Sequence, residues 1–137
     1  MLFRSKNRSI PLEKIKPLLT YGHFFLLQNE IKSEDKKFLE NHPEITNLSL
    51  QIKSFLDTAS IIQNMDLIIS VDTSLIHLAG SLNKKSYLML PWCPEWRWLT
   101  NRSDSPWYPS IKIFRQKSLC DWGSVISQIK SELENNL

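Results

Sequence analysis

Leu67–Leu82, LIISVDTSLIHLAGSL, is the stretch whose reading decides the fold. Leu67 to Val71 is a short apolar run of the kind that makes a buried strand. From Leu75 onward, Leu75, Leu78, Ala79 and Leu82 recur at helical spacing and predict a buried stripe. A strand therefore passes directly into a helix, and such a junction lies at the carboxyl end of a parallel strand, where open α/β sheets bind ligands. The first turn of that helix presents unpaired N–H groups and the positive end of its dipole, which suits a phosphate. Asp72 stands where its carboxylate caps the helix, and Thr73 and Ser74 add hydroxyl donors beside the same amides. His77 follows one turn in, placed to donate to a diphosphate oxygen or to add positive charge when protonated. D-T-S before an apolar run is also an ordinary helix cap, and a histidine on an apolar helix is often a hydrogen-bonded structural residue. Spacing alone leaves both readings open.

Working outward, short apolar runs alternate with stretches of helical spacing, the signature of an α/β layered domain with a parallel sheet. Upstream, Ile10 to Leu19 reads as a helix opened by Pro11 and bent or ended by Pro17. His23 to Gln28 reads as a strand, Ser33 with Glu34 and Asp35 as the capped start of a helix to about Glu40, and Ile45 to Leu50 as a weaker strand. Phe55, Ala59, Ile62 and Met65 recur at helical spacing just before Leu67. Downstream, Ser86 to Leu90 and Ile111 to Phe114 are strands. Asp121 caps a last helix in which Trp122, Val125, Ile126, Ile129 and Leu133 share one face.

Between those two strands runs a long irregular stretch, residues 91–110, rich in proline and without a clean period; a loop of that length in a compact domain is usually functional. Trp92, Trp96, Trp98 and Trp107 fall in it with Arg97, Arg102 and Tyr108. Aromatic faces stack nucleobases or sugars, and arginines pair with phosphate in bidentate fashion. The same rings also pack a loop onto a sheet with Arg97 stacked on them. Trp96 and Arg97 are the candidates for ligand contact. Glu95 and Asp104 are the loop's acids, and nothing in their spacing assigns either as a general base.

At 137 residues and 42% hydrophobic, the chain has enough apolar material for one core, and we expect a single domain over 1–137. The net charge of +3 is dispersed among acids, which gives no argument for nucleic acid. Cys93 and Cys120 have neither CxxC nor metal-ligand spacing, so we expect no metal and no disulfide framework, and a reducing cytoplasm is the simplest location. The longest apolar run is too short to span a bilayer.

VDTSLIHLAGSLNKKSYLMLP, Val71 to Pro91, resembles the donor-domain motif of family 9 glycosyltransferases, the heptosyltransferase-like group. KNRSIPLEKIKPLL, LQNE, DTASIIQNMDLIISVDT, PEWRWLTNRSDSPWYPSIKIFRQ and DWGSVISQIKSEL resemble consecutive segments of the branch commonly fused to tetratricopeptide repeats, so the likeness covers nearly the whole chain. The resemblance implies a three-layer Rossmann-like parallel sheet forming most of the carboxyl-terminal, nucleotide-sugar-binding half of a GT-B fold. It implies inverting, metal-independent sugar transfer once an acceptor domain completes the enzyme. Asp72, Thr73, Ser74 and His77 match the diphosphate-binding turn. Gln28 and Asn29 stand where relatives often carry Gln-Lys, the lysine meeting donor phosphate, and Lys85 stands where they often have proline. Relatives open this domain with a strand and a glycine-containing loop, whereas this sequence has only Met1 to Asn7 before RSIPL, so the first strand is expected to be missing. The resemblance thus implies a nucleotide-sugar donor as ligand and, as partner, a separate acceptor-domain or repeat-containing chain. The competing expectations are a non-catalytic remnant or interaction module, and a nucleotide-binding domain of different chemistry. The donor sugar, its base and the catalytic residue stay unassigned.

Overall fold

Side chains that alternate across parallel strands and helices that pack on both faces organise the molecule, a computed structural model that describes residues 9–94 and 96–136. The elements are a 3-10 helix Leu12–Tyr21, β1 Phe25–Leu26, α1 Ser33–Glu40, β2 Thr46–Asn47, a 3-10 turn Ser49–Gln51, α2 Phe55–Gln63, β3 Ile68–Val71, α3 Ser74–Ser81, β4 Ser86–Leu90, a 3-10 turn Trp96–Trp98, β5 Ile111–Arg115 and α4 Trp122–Asn136. The fold is mixed α/β and its strands pair in parallel. Among the described residues they form two sheets, β1 with β2, and β3-β4-β5 in that order.

The central strand β4 is buried at all five positions, which alternation divides between two cores. On one face Tyr87 and Met89 join Phe114, Leu18 of the first helix, and Trp122, Val125, Ile126, Ile129 and Leu133 of α4. On the other, Leu88 and Leu90 join Ile76, Trp98, Ile111 and Ile113. A third cluster, Ile62, Ile68 and Ala79 with Leu27, Leu75, Leu78 and Leu82 at its margin, ties α2 and α3 to β3 and to the end of β1.

Several local expectations are corrected. The first helix is 3-10 and runs Leu12–Tyr21, with Pro11 just outside it as N-cap and Pro17 inside; a proline there withholds an N–H from an α-helical ladder. The strand around His23 to Gln28 pairs only at Phe25–Leu26, and that around Ile45 only at Thr46–Asn47. Ser33 does not cap α1: the N-cap position is Lys32, without a side-chain cap bond, and Asp35 instead accepts the Leu12 N–H at 2.9 Å, joining two helices. In α2 the hydrophobic stripe begins late, because Phe55 is exposed; the helix start is held by Ser54 and Asp57, whose side chains exchange bonds with each other and with the backbone at 3.0 to 3.3 Å. In α3 the fully buried face is Ile76, Ala79 and Gly80, and the expected Leu75, Leu78 and Leu82 are half-buried. The last helix and its cap follow the expectation, with Asp121 Oδ1 accepting the Ser124 N–H at 3.1 Å. No helix among the described residues is long and apolar enough to cross a membrane.

Candidate functional site

α3 starts immediately beyond the carboxyl end of β3, so the turn Asp72–Ser74 opens at the edge of the three-stranded sheet. The N-cap is Thr73, whose side chain makes no cap hydrogen bond. Thr73 and Ser74 are exposed there, and the Thr73 hydroxyl lies 3.2 Å from Ser70 Oγ. The amides of a helix's first turn and these hydroxyls are donors at a positive helix end.

Asp72, one residue before the N-cap, also meets the histidine. It is 4% exposed, and its Oδ1 lies 3.4 Å from His77 Nε2. The ring's other nitrogen, Nδ1, lies 3.2 Å from the Tyr108 hydroxyl. The ring stacks on Trp98, centroids 5.3 Å apart, and meets Tyr108 edge-on. Arg97 Nη1 stands 3.4 Å from Nε2, adding a cation beside the imidazole. His77 is thus clamped by a carboxylate, a phenol and an indole face, and a direct bond from its ring to an anion requires one of these partners to give way.

The aromatic loop is what brings these groups to α3. Trp98 is fully buried under His77, and its carbonyl accepts from Arg115 Nη2 at 2.6 Å while Arg115 Nε donates to the Arg102 carbonyl at 3.0 Å. Burial pulls the Arg115 guanidinium below its ordinary pKa. Ser105 Oγ accepts the N–H groups of Trp107 and Tyr108, and Trp107 Nε1 donates to the Arg97 carbonyl at 3.1 Å. Tyr108 lies flat against the backbone of α3 at Gly80, where a Cβ would come within 2.6 Å of its ring.

Of the residues singled out from sequence, Asp72, His77 and Arg97 come together, with Thr73 and Ser74 at the mouth. Trp96 is 77% exposed with the Arg97 guanidinium 6.0 Å from its ring centroid. Gln28 and Asn29 are exposed beyond β1, in the other sheet, and no hydrogen bond among the described residues joins them to the turn. Asp104 is salt-bridged to Arg102 through both oxygens at 2.8 Å, which holds its carboxyl below the usual range. Glu95 lies outside the described residues. An open depression of about 360 Å³ is lined by Pro94, Trp96, Leu99, Thr100 and Arg102 and does not include His77. Tyr108 and Trp98 as His77's partners were not foreseen; the available signal was Gly80, a glycine inside a helix, which often marks close approach. Among the described residues no group of three or more His, Cys, Asp or Glu gathers as a metal site.

Comparison with known proteins adds no family: no protein-family model, curated protein or solved structure matches the chain.

Proposed function

We propose that the chain is a nucleoside-diphosphate-sugar-binding domain of a glycosyltransferase of the GT-B type. The observation that carries this reading is the exposed turn Thr73–Ser74 opening α3 at the carboxyl end of β3, with Arg97 and His77 gathered one turn above it. Oriented amides, two hydroxyls and a guanidinium are the donor set a diphosphate requires. In this arrangement the amides of Ser74 and Leu75 and the Arg97 guanidinium contact the phosphates. His77 holds Asp72 away from them, and turns to the anion if a bound diphosphate displaces Tyr108. Trp96, exposed beside Arg97, supplies a face for the base or sugar. Transfer itself, inverting and without metal, needs an acceptor domain, and no residue here is assigned as base.

A second reading, a binding module that performs no transfer, has one observation in its favour: the carboxylate nearest the turn, Asp72, is buried against His77 and not directed outward. Calorimetric titration with UDP, ADP and GDP and with their hexose conjugates tests the proposal. Loss of a hydrogen bond to a charged group is worth about 1.5–3 kcal/mol, so Arg97→Ala and His77→Ala should each weaken binding by roughly 10- to 100-fold. Absence of heat with every nucleotide, or binding indifferent to both substitutions, removes the basis of the proposal. Binding without sugar transfer after addition of a GT-B acceptor domain selects the second reading.

A further inference from the structure

Four buried side-chain polar atoms find no hydrogen-bond partner among the described residues: Tyr87 Oη, Trp98 Nε1, Ser110 Oγ and Gln116 Nε2. Buried polar groups are hydrogen-bonded in the great majority of cases, so each exception calls for a physical reason. Tyr87 and Ser110 line one and the same depression, of about 330 Å³, together with Lys85, Lys112, Glu132 and Asn136. It lies at the amino ends of β4 and β5, whereas the turn Thr73–Ser74 opens at the carboxyl end of β3; the strands being parallel, the two places stand at opposite edges of the sheet.

The groups gathered there are mostly donors. Tyr87, 1% exposed, is the register partner of Lys112, which sets the two side chains beside each other on one face of the sheet. The Lys85 ammonium stands 5.8 Å from the centroid of the Tyr87 ring. Lys112 Nζ meets Glu132 Oε2 at 2.6 Å, tying β5 to α4, and Asn136 Nδ2 donates to Glu132 Oε1 at 2.9 Å. Burial, and after it the Glu132 charge, pushes the Tyr87 phenol above its ordinary pKa, so the group keeps its proton and serves as a donor. Glu132 is thus near enough for the phenol to feel its charge, yet it accepts no hydrogen bond from it. Asp104, the other acid of the depression, is engaged through both oxygens by Arg102. Lys85 makes no ion pair among the described residues.

We propose that this depression binds a small oxyanion, a phosphate or carboxylate group, which accepts hydrogen bonds from the Tyr87 and Ser110 hydroxyls and is neutralised by Lys85 and Lys112. Such a ligand supplies the acceptor that both hydroxyls lack, and its charge balances the cation that Lys85 adds beside the Lys112–Glu132 pair. It reaches the phenol by taking the place of Glu132 on Lys112. The side chains of that pair are 44% and 23% exposed, and ion pairs open to water are weak enough to part. The site stands or falls separately from the nucleotide-binding reading of the turn after β3.

Residue-resolved NMR titration of the chain with inorganic phosphate and with acetate, each against sodium chloride at matched ionic strength, tests it and tells the two oxyanions apart. One or both should shift the amides of Tyr87, Ser110, Lys112 and Glu132 saturably, and chloride should not. Tyr87→Phe, which removes the hydroxyl alone, and Lys85→Met, at an exposed position, should each weaken binding by about tenfold or more. Glu132→Gln, which frees Lys112 and removes the competing charge, should tighten it several-fold. The proposal is overturned if neither oxyanion gives a saturable shift at these residues, or if Tyr87→Phe binds as tightly as the native chain, which reduces the effect to two surface lysines. Shifts confined to Thr73, Ser74 and Leu75 overturn it as well, while leaving the reading of the turn intact.

Discussion

Gly80→Ala measures whether the aromatic loop is seated on α3 as the structure has it. In an unobstructed helix interior the substitution would stabilise by about 1 kcal/mol, since glycine is that much poorer a helix former than alanine. Here the new Cβ falls 2.6 Å from both Cγ and Cδ1 of Tyr108 and 3.0 Å from Ile111 Cδ1. The two nearest atoms belong to the root and side of a ring and not to the end of a flexible chain, so Tyr108 must move bodily. Overpacking of this type costs about 1–3 kcal/mol, which outweighs the helical gain and leaves the variant less stable by up to about 2 kcal/mol. Displacing the ring also breaks the Tyr108–His77 hydrogen bond. Urea unfolding of the variant gives the first number, and a double-mutant cycle isolates its cause: in a Tyr108→Ala background the ring is gone and only the flexible end of Ile111 at 3.0 Å has to shift, so Gly80→Ala should now stabilise by up to about 1 kcal/mol. A gain of that size in the otherwise native chain would refute the packing of Tyr108 on α3.

Three further outcomes are expected. Arg115→Met should cost about 2–4 kcal/mol by removing a charged donor from the Trp98 and Arg102 carbonyls, and exchange should quicken at residues 96–102; unchanged exchange there would mean the loop is held otherwise. Asp121→Ala should lower stability by about 1 kcal/mol through loss of the α4 cap, with Asp121→Asn restoring most of it in thermal unfolding. The Lys112 ammonium holds Glu132 below the usual carboxylate range. A lowered folded pKa gives stability that is present above the unfolded value, about 4.3, and is lost as pH falls through the folded one. Urea midpoints between roughly pH 5 and 3 should therefore fall less steeply in Glu132→Gln than in the native chain.

Local patterns were legible where one residue's neighbours in sequence are also its neighbours in space. Ser86–Leu90 is a run without polar interruption beyond its first residue, and it became the central strand; Trp122, Val125, Ile126, Ile129 and Leu133 repeat at helical spacing behind an aspartate, and they became the buried face of α4. The ends of β1 and β2 were overestimated because strand length is set by available partners and not by propensity alone. The contact of Asp72 with His77 was not legible for a related reason: an aspartate at a helix start and a buried histidine partner present the same residue at the same position, and only the surroundings reveal the second role.

The sequence by itself determined the alternation of strands and helices, the strand-to-helix turn after Val71 and the cap of the last helix, because these depend on periodicity and on bonds spanning a few residues. Only the tertiary structure decided that Tyr108 and Arg97, separated from His77 by 31 and 20 positions, close on its ring. Those outcomes follow from which surfaces pack together, and packing between distant segments leaves no period in the chain to read.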